Sequence, residues 1–207
     1  VFDLFSWAAG RHANRLQRLA VQYVDHDWPI ARLAVPRNGL CPCELRECID
    51  PHLVHTQSPA ISTTTMAENA FCSTRWAIAI LARDFDVLEL PAQLGAPLHH
   101  HLKTQCPTSI APTTRRWQFF VTAGSVPRDQ LAAAGGRLID SPSGWVIAPG
   151  TYTEGTGRTR WLTPPYVTHW RPYQRHDAID AVLTRIDPSG PTAPTRPGSN
   201  IVADALA

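Results

Sequence analysis

The feature that most constrains this chain is the length of its apolar runs. Trp76–Leu81, Phe85–Leu90 and Trp117–Thr122 are each six residues long and rich in β-branched and aromatic side chains. That is the length and composition of a strand. No run approaches the roughly 20 apolar residues that a membrane-spanning helix needs, so no membrane partner is expected.

Ala82-Arg83-Asp84 separates the first two runs, and the spacing predicts a hairpin. Ile30–Val35 reads as a short strand. Trp145–Ala148 and Arg158–Leu162 flank a Gly/Thr-rich turn and also read as a hairpin. Helical periodicity alternates with these runs. Leu16, Leu19, Ala20, Tyr23 and Val24 form one stripe over His12–Asp25, which Trp28-Pro29 ends. Ala92–Gln105 and Pro127–Ala134 read as helices, the second with proline near its start. Thr65-x-x-Glu68 is a capping-box pattern that opens a short helix. Arg175–Ile186 carries Ile179, Val182, Leu183 and Ile186 on one face. Strands mixed with segregated helices predict an α+β fold, a central mixed or antiparallel sheet flanked by helices. One domain is expected over 1–186. From 187 to 207 Pro, Gly, Ser and Thr dominate, and such a tail is expected to stay disordered.

Hydrophobic residues make up 43% of the 207, enough for a sizeable core. The formal net charge of only +2 does not mark a nucleic-acid binder and does not exclude one. Lys103 is the only lysine. Arginine suits phosphate contacts. Arg115, Arg116, Arg158 and Arg160, with Arg171 and Arg175, read either as a surface for nucleotide or nucleic acid or as scattered solvated cations. Val1–Gly10 is apolar but short, contains Asp3 and lacks basic residues before its apolar part, so no signal peptide is expected and the cytoplasm is the expected compartment.

Three of the five cysteines, Cys41, Cys43 and Cys48, fall within eight residues. An odd count with such clustering points to a metal site more than to a disulfide framework. Three thiolates with His52 or His55 as the fourth ligand would suit tetrahedral, structural zinc; reduced loop cysteines are the alternative. The segment Arg37–Pro59 around them has no periodicity and reads as a loop. His99-His100-His101 lies in a predicted helix, where consecutive residues point in different directions and cannot share one metal. Cys72 and Cys106 stand alone. There is no Gly-x-Ser-x-Gly elbow.

Several segments, in order, resemble the N-terminal domain of bifunctional DNA primase/polymerases, the prim-pol family. Trp28-Pro29-Ile30 is similar to the "GWPVFP" that opens that family's first strand. The cysteine cluster resembles the "CSCGDPxCPxPGxHP" insert of actinobacterial members. Thr63-Thr64-Thr65 and Trp76 are similar to "ATTD…WW", and Phe85–Ala92 to "VLDVDP" or "DVLDVPA". Trp117-Gln118-Phe119-Phe120 sits where the family has "HxYF". Gly144–Pro149 resembles "GYVVAPPS", with Arg160-Trp161-Leu162 in the strand after its glycine loop. The resemblance covers roughly 16 to 183.

The resemblance implies DNA replication chemistry: nucleotidyl transfer by two divalent metals, Mg or Mn, held by carboxylates two apart on a strand. Glu89 falls on the first acidic position, Pro91 on the second and Trp117 on a phosphate-contacting histidine. The third acidic position falls near Leu138, with Asp140 two residues on. Asp84 and Asp86 form another carboxylate pair, which also reads as a turn and its flank. The missing acids predict a catalytically inactive domain that binds DNA, nucleotide or a replication protein. An active enzyme with a noncanonical metal site, and a structural or regulatory protein that keeps only the fold, are the other two readings.

Overall fold

A computed structural model describes residues 2–36, 41–43, 48, 54–73, 76–124, 128–140, 144–153 and 157–174. The order is α1 (Phe2–Asp25), β1 (Ile30–Ala34), β2 (His55–Ile61), α2 (Thr64–Ala70), β3 (Ala77–Leu81), β4 (Phe85–Pro91) and α3 (Ala92–Leu102). Then come β5 (Thr108–Ala111), β6 (Arg116–Thr122), α4 (Arg128–Ala133), β7 (Arg137–Ile139), β8 (Trp145–Ile147), β9 (Tyr152–Thr153), β10 (Gly157–Arg158) and β11 (Arg160–Thr163). The fold is α+β. Its strands form a four-stranded sheet, β2-β1-β3-β8, and a five-stranded sheet, β11-β5-β6-β4-β7, with a small β9–β10 hairpin beside them. Every ladder between these strands is antiparallel.

β4 lies between β6 and β7, and both its faces are used. Side chains alternate along a strand. Phe85 and Val87 join Phe120 on one face, in a core shared with Ile78, Ile80 and Val146 of the four-stranded sheet and with Ala20 and Tyr23 of α1. Leu88 and Leu90 join Phe119 and Val121 on the other, under Leu98 and Leu102 of α3 and Leu131 of α4. α3 lies close against β6: a Cβ on Gly95 would stand 2.4 Å from Trp117 Cγ, so only glycine fits there. Trp28 sits at the centre of the shared core, 2% exposed, with Phe85, Phe120, Trp161 and Trp170 around its ring. Its indole N–H donates to the Trp170 carbonyl at 3.0 Å.

The expected hairpin between Trp76–Leu81 and Phe85–Leu90 does not form. β3 pairs with β1 and β8, and β4 pairs with β6 and β7, so neither has an edge left for the other. Ala82 is fully buried and its N–H donates to the Gly144 carbonyl at 2.9 Å, so the short link is a passage from one sheet to the other. The second expected hairpin fails in the same way. β8 pairs with β3 and β11 with β5, and the Gly/Thr-rich segment between them makes its own β9–β10 hairpin.

The loop expected over Arg37–Pro59 gives way to β2 from His55. Pro59 is compatible with that strand because β2 is an edge strand and the proline falls in an irregularity of the register: Ile30 faces Ile61 while Arg32 faces Gln57. The cap of α2 is Thr63, whose Oγ1 accepts from Met66 N at 3.3 Å, two residues before the expected Thr65. The predicted helix Arg175–Ile186 and the tail 187–207 lie outside the described residues.

Candidate functional site

Glu89 stands in a row of polar side chains that crosses four strands in register: Ser109 of β5, Gln118 of β6, Glu89 of β4 and Arg137 of β7. Ser109 Oγ donates to Gln118 Oε1 at 2.8 Å, and Gln118 Nε2 donates to Glu89 Oε2 at 3.1 Å. Arg137 Nη2 meets the other carboxylate oxygen, Oε1, at 3.1 Å. Glu89 is 8% exposed, whereas the Arg137 side chain is 66% exposed. Both oxygens of this buried carboxylate therefore already have donors. The row lies at the base of an open cleft of two adjoining hollows, about 480 and 490 Å³, which share Glu89, Gln118 and Arg137. Asp140 lines the first hollow and Arg116 the second, so the cleft's charge is balanced.

The neighbouring positions add no second strand carboxylate beside Glu89. Pro91 ends β4 opposite Arg116. Leu138 faces Leu88 and packs into the core under α3 and α4. Asp86 is buried, and its Oδ2 accepts from Gly124 N at 2.7 Å. By strand alternation it belongs to the face away from Glu89. Asp84 lies in the exposed bend before β4.

Trp117 requires a correction. It is expected in the cleft, in place of a phosphate-contacting histidine, but it packs against Gly95 and His99 of α3, behind the sheet. Gln118, one residue on, faces Glu89.

The cysteine cluster forms at the base of the β1–β2 connection. Cys41, Cys43, Cys48 and His55 each bring one ligand atom within 4.8 Å of all the others. Cys41 Sγ lies 3.1 Å from Cys43 Sγ, and His55 Nε2 lies 3.7 Å from Cys41 Sγ and 3.8 Å from Cys48 Sγ. A tetrahedral zinc with Zn–S near 2.3 Å and Zn–N near 2.0 Å spaces its ligands about 3.6–3.8 Å apart. The two His55 distances match that spacing, the Cys41–Cys43 distance falls short of it, and the four residues lie close enough together to hold a metal. Burial, with the Cys43 thiol beside it, pushes the Cys41 thiol up to about 11. His55 takes the fourth place; His52 lies outside the described residues. Cys106 is buried, its Sγ donates to the Phe120 carbonyl at 3.5 Å and burial pushes the thiol up to about 12, while Cys72 is exposed. His99 Nε2 meets Thr163 Oγ1 at 3.1 Å, and His100 and His101 are exposed.

The four expected arginines divide. Arg115 is exposed on the β5–β6 turn with φ at 52°, and Arg116 Nη1 donates to the Gly135 carbonyl at 2.6 Å beside the cleft. Arg158 and Arg160 line a separate groove of about 780 Å³ with Arg15 and Arg18 of α1, Thr159 and Trp161. Sequence reasoning missed Arg15 and Arg18. Their spacing beside the apolar stripe at Leu16 and Leu19 was the signal, but nothing in the pattern says which strand the helix edge will face. Among the described residues no helix is long and apolar enough to cross a membrane.

No family model matches this chain, and no curated protein or solved structure matches it either.

Proposed function

We propose that this chain is a primase/polymerase-like domain that binds nucleic acid without extending it. The observation that carries the reading is the state of Glu89. A two-metal site needs several carboxylates with free lone pairs. Glu89 is the strand carboxylate at the base of the cleft, and Gln118 and Arg137 occupy both of its oxygens. A guanidinium beside the carboxylate also repels a divalent cation. Arg116 and Arg137 leave the cleft unable to assemble two metals around nucleotide phosphates.

Primer extension with magnesium and with manganese tests the reading, run beside binding of the same primer–template. Binding without incorporation is expected. Incorporation that disappears in Glu89→Ala would overturn the inactive reading, and absence of any binding would overturn the nucleic-acid reading.

The Cys41–Cys43–Cys48–His55 cluster supports a second part of the proposal, a structural zinc. All four ligands come from the chain, which leaves no open position for catalysis. The metal would tie the interior of a 20-residue connection, 35–54, to the first residue of β2. Elemental analysis of purified protein should give about one zinc per chain. A chelator should lower the melting temperature in the wild type and not in Cys41→Ser/Cys43→Ser. Protein purified without chelator and free of zinc would sink this part alone.

A further inference from the structure

The groove between α1 and the β9–β11 segment differs from the Glu89 cleft in its charge. Arg15 and Arg18 stand one turn apart on the helix, and Arg158 and Arg160 stand opposite on β10 and β11. No carboxylate lines it among the described residues. Arg18 Nε and Arg158 Nη1 donate to backbone carbonyls, of Asn14 at 3.2 Å and Gly150 at 3.1 Å, which holds each guanidinium without neutralising it. Arg15 and Arg160 are exposed and meet no hydrogen-bonding or ionic partner among the described residues. Like charges gathered with no counter-charge among the described residues repel one another, and an anion from outside would relieve that repulsion.

A further observation bears on what the anion belongs to. Beside the groove, Tyr152 on β9 is 57% exposed and sits directly opposite Arg158 in the β9–β10 register. Basic side chains that track a backbone beside an exposed ring on which a base can stack are the parts of a single-strand binding surface. A site for one small anion would not need the ring or guanidiniums on both walls.

We propose that this groove binds the backbone of a single-stranded nucleic acid, with Arg15, Arg18, Arg158 and Arg160 at successive phosphates and Tyr152 stacked on a base. The inference rests on the nucleic-acid reading above and names the surface that carries it. No atom of Glu89, Gln118 or Arg137 takes part.

The test is fluorescence anisotropy on the full chain with labelled 12-nucleotide oligothymidylate, oligouridylate and a duplex of the same length, over a range of salt. The wild type should prefer both single strands to the duplex. Equal affinity for the two would make the shared phosphate backbone the ligand, and a preference would tell DNA from RNA; either supports the proposal. Arg15→Ala/Arg160→Ala should weaken single-strand binding at least tenfold. Each phosphate contact contributes roughly 0.7 to the salt slope on single strands, so the slope should fall by about 1.4. Tyr152→Ala should weaken binding about tenfold with the slope unchanged. Arg83→Ala, an exposed arginine in the bend before β4, is the matched control. Wild-type binding that the double variant leaves intact would overturn the groove and spare the function reading. Duplex bound as tightly as single strand would overturn the single-strand assignment, and no binding by the wild type to any of the three would overturn both.

Discussion

The Glu89 row and the arginine groove hold charge in opposite ways. In the row, each polar group is matched by the strand next to it: Ser109 by Gln118, Gln118 by Glu89, Glu89 by Arg137. In the groove, four guanidiniums from a helix and two strands line one hollow with no acid among the described lining residues. The first arrangement is complete without a ligand and contributes to the fold. In the second, two guanidiniums are held by backbone carbonyls and none by an acid among the described residues, the arrangement that the proposed ligand would complete. A charged side chain in a hollow is therefore weak evidence of function until its own partners are accounted for.

The comparison can be broken most forcefully at Gln118. Gln118→Leu removes the donor to Glu89 Oε2 and the acceptor for Ser109, which leaves a buried carboxylate half-satisfied. A loss of about 3 kcal/mol in unfolding free energy is expected, with oligothymidylate affinity unchanged; denaturant melts and anisotropy measure the two. The double variant Glu89→Leu/Gln118→Leu should recover part of that loss, because the two side chains act as one unit. The groove should show the reverse pattern. Arg15→Ala/Arg160→Ala should leave stability within about 0.5 kcal/mol while single-strand affinity falls. If both variants moved stability and neither moved affinity, the contrast between the two regions would be gone.

Arg137→Ala sharpens the same comparison at a smaller scale. Its guanidinium is mostly in solvent, which screens the pair. A loss of about 1 kcal/mol or less is expected, well below that of Gln118→Leu. Comparable losses from the two would mean that the ion pair, and not the buried amide, holds Glu89.

The smallest effect is a pH dependence behind the sheet. His99, on α3, meets Thr163 of β11, the strand that carries Arg160. Burial, with His100 beside it, holds the imidazole below its ordinary value of 6.5. As pH falls through 6.5 the unfolded chain takes up a proton that the folded chain resists, so stability should decline on acidification and be fully present above that value. His99→Gln should flatten that part of the pH–stability profile, measured by thermal melts between pH 5 and 8.

Much of the element list was legible because periodicity is local. The runs that became β3, β4 and β6, and α3 directly after Pro91, appear near their expected bounds, whereas α1 holds the expected stripe but starts at Phe2, ten residues before His12. Pairing was not legible. The short link at Ala82 reads equally as a turn or as a passage between sheets, and β1 and β8 on one side, β6 and β7 on the other, decide the matter. β5 and β7 are short and only partly apolar, and were not anticipated. Of the site residues, the cysteines were legible because three lie within a few positions. The row was not, because Ser109, Gln118 and Arg137 are unremarkable until the register sets them beside Glu89. Trp117 illustrates the limit: a single position's shift along β6 exchanged the cleft for the back of the sheet.

The bond from Trp28 to the Trp170 carbonyl joins positions 142 apart in sequence. On a ribosome the chain is made in order, and the first strand is finished long before its deepest anchor exists. β1 must wait for β8 to complete its sheet, and the ring cluster around Trp28 cannot close until Trp161 and Trp170 have left the exit tunnel. The early segments are thus exposed during synthesis, with apolar side chains that have no stable cover. A nascent chain of this architecture depends on whatever shields it in that interval, and slow translation of its second half would lengthen the exposure.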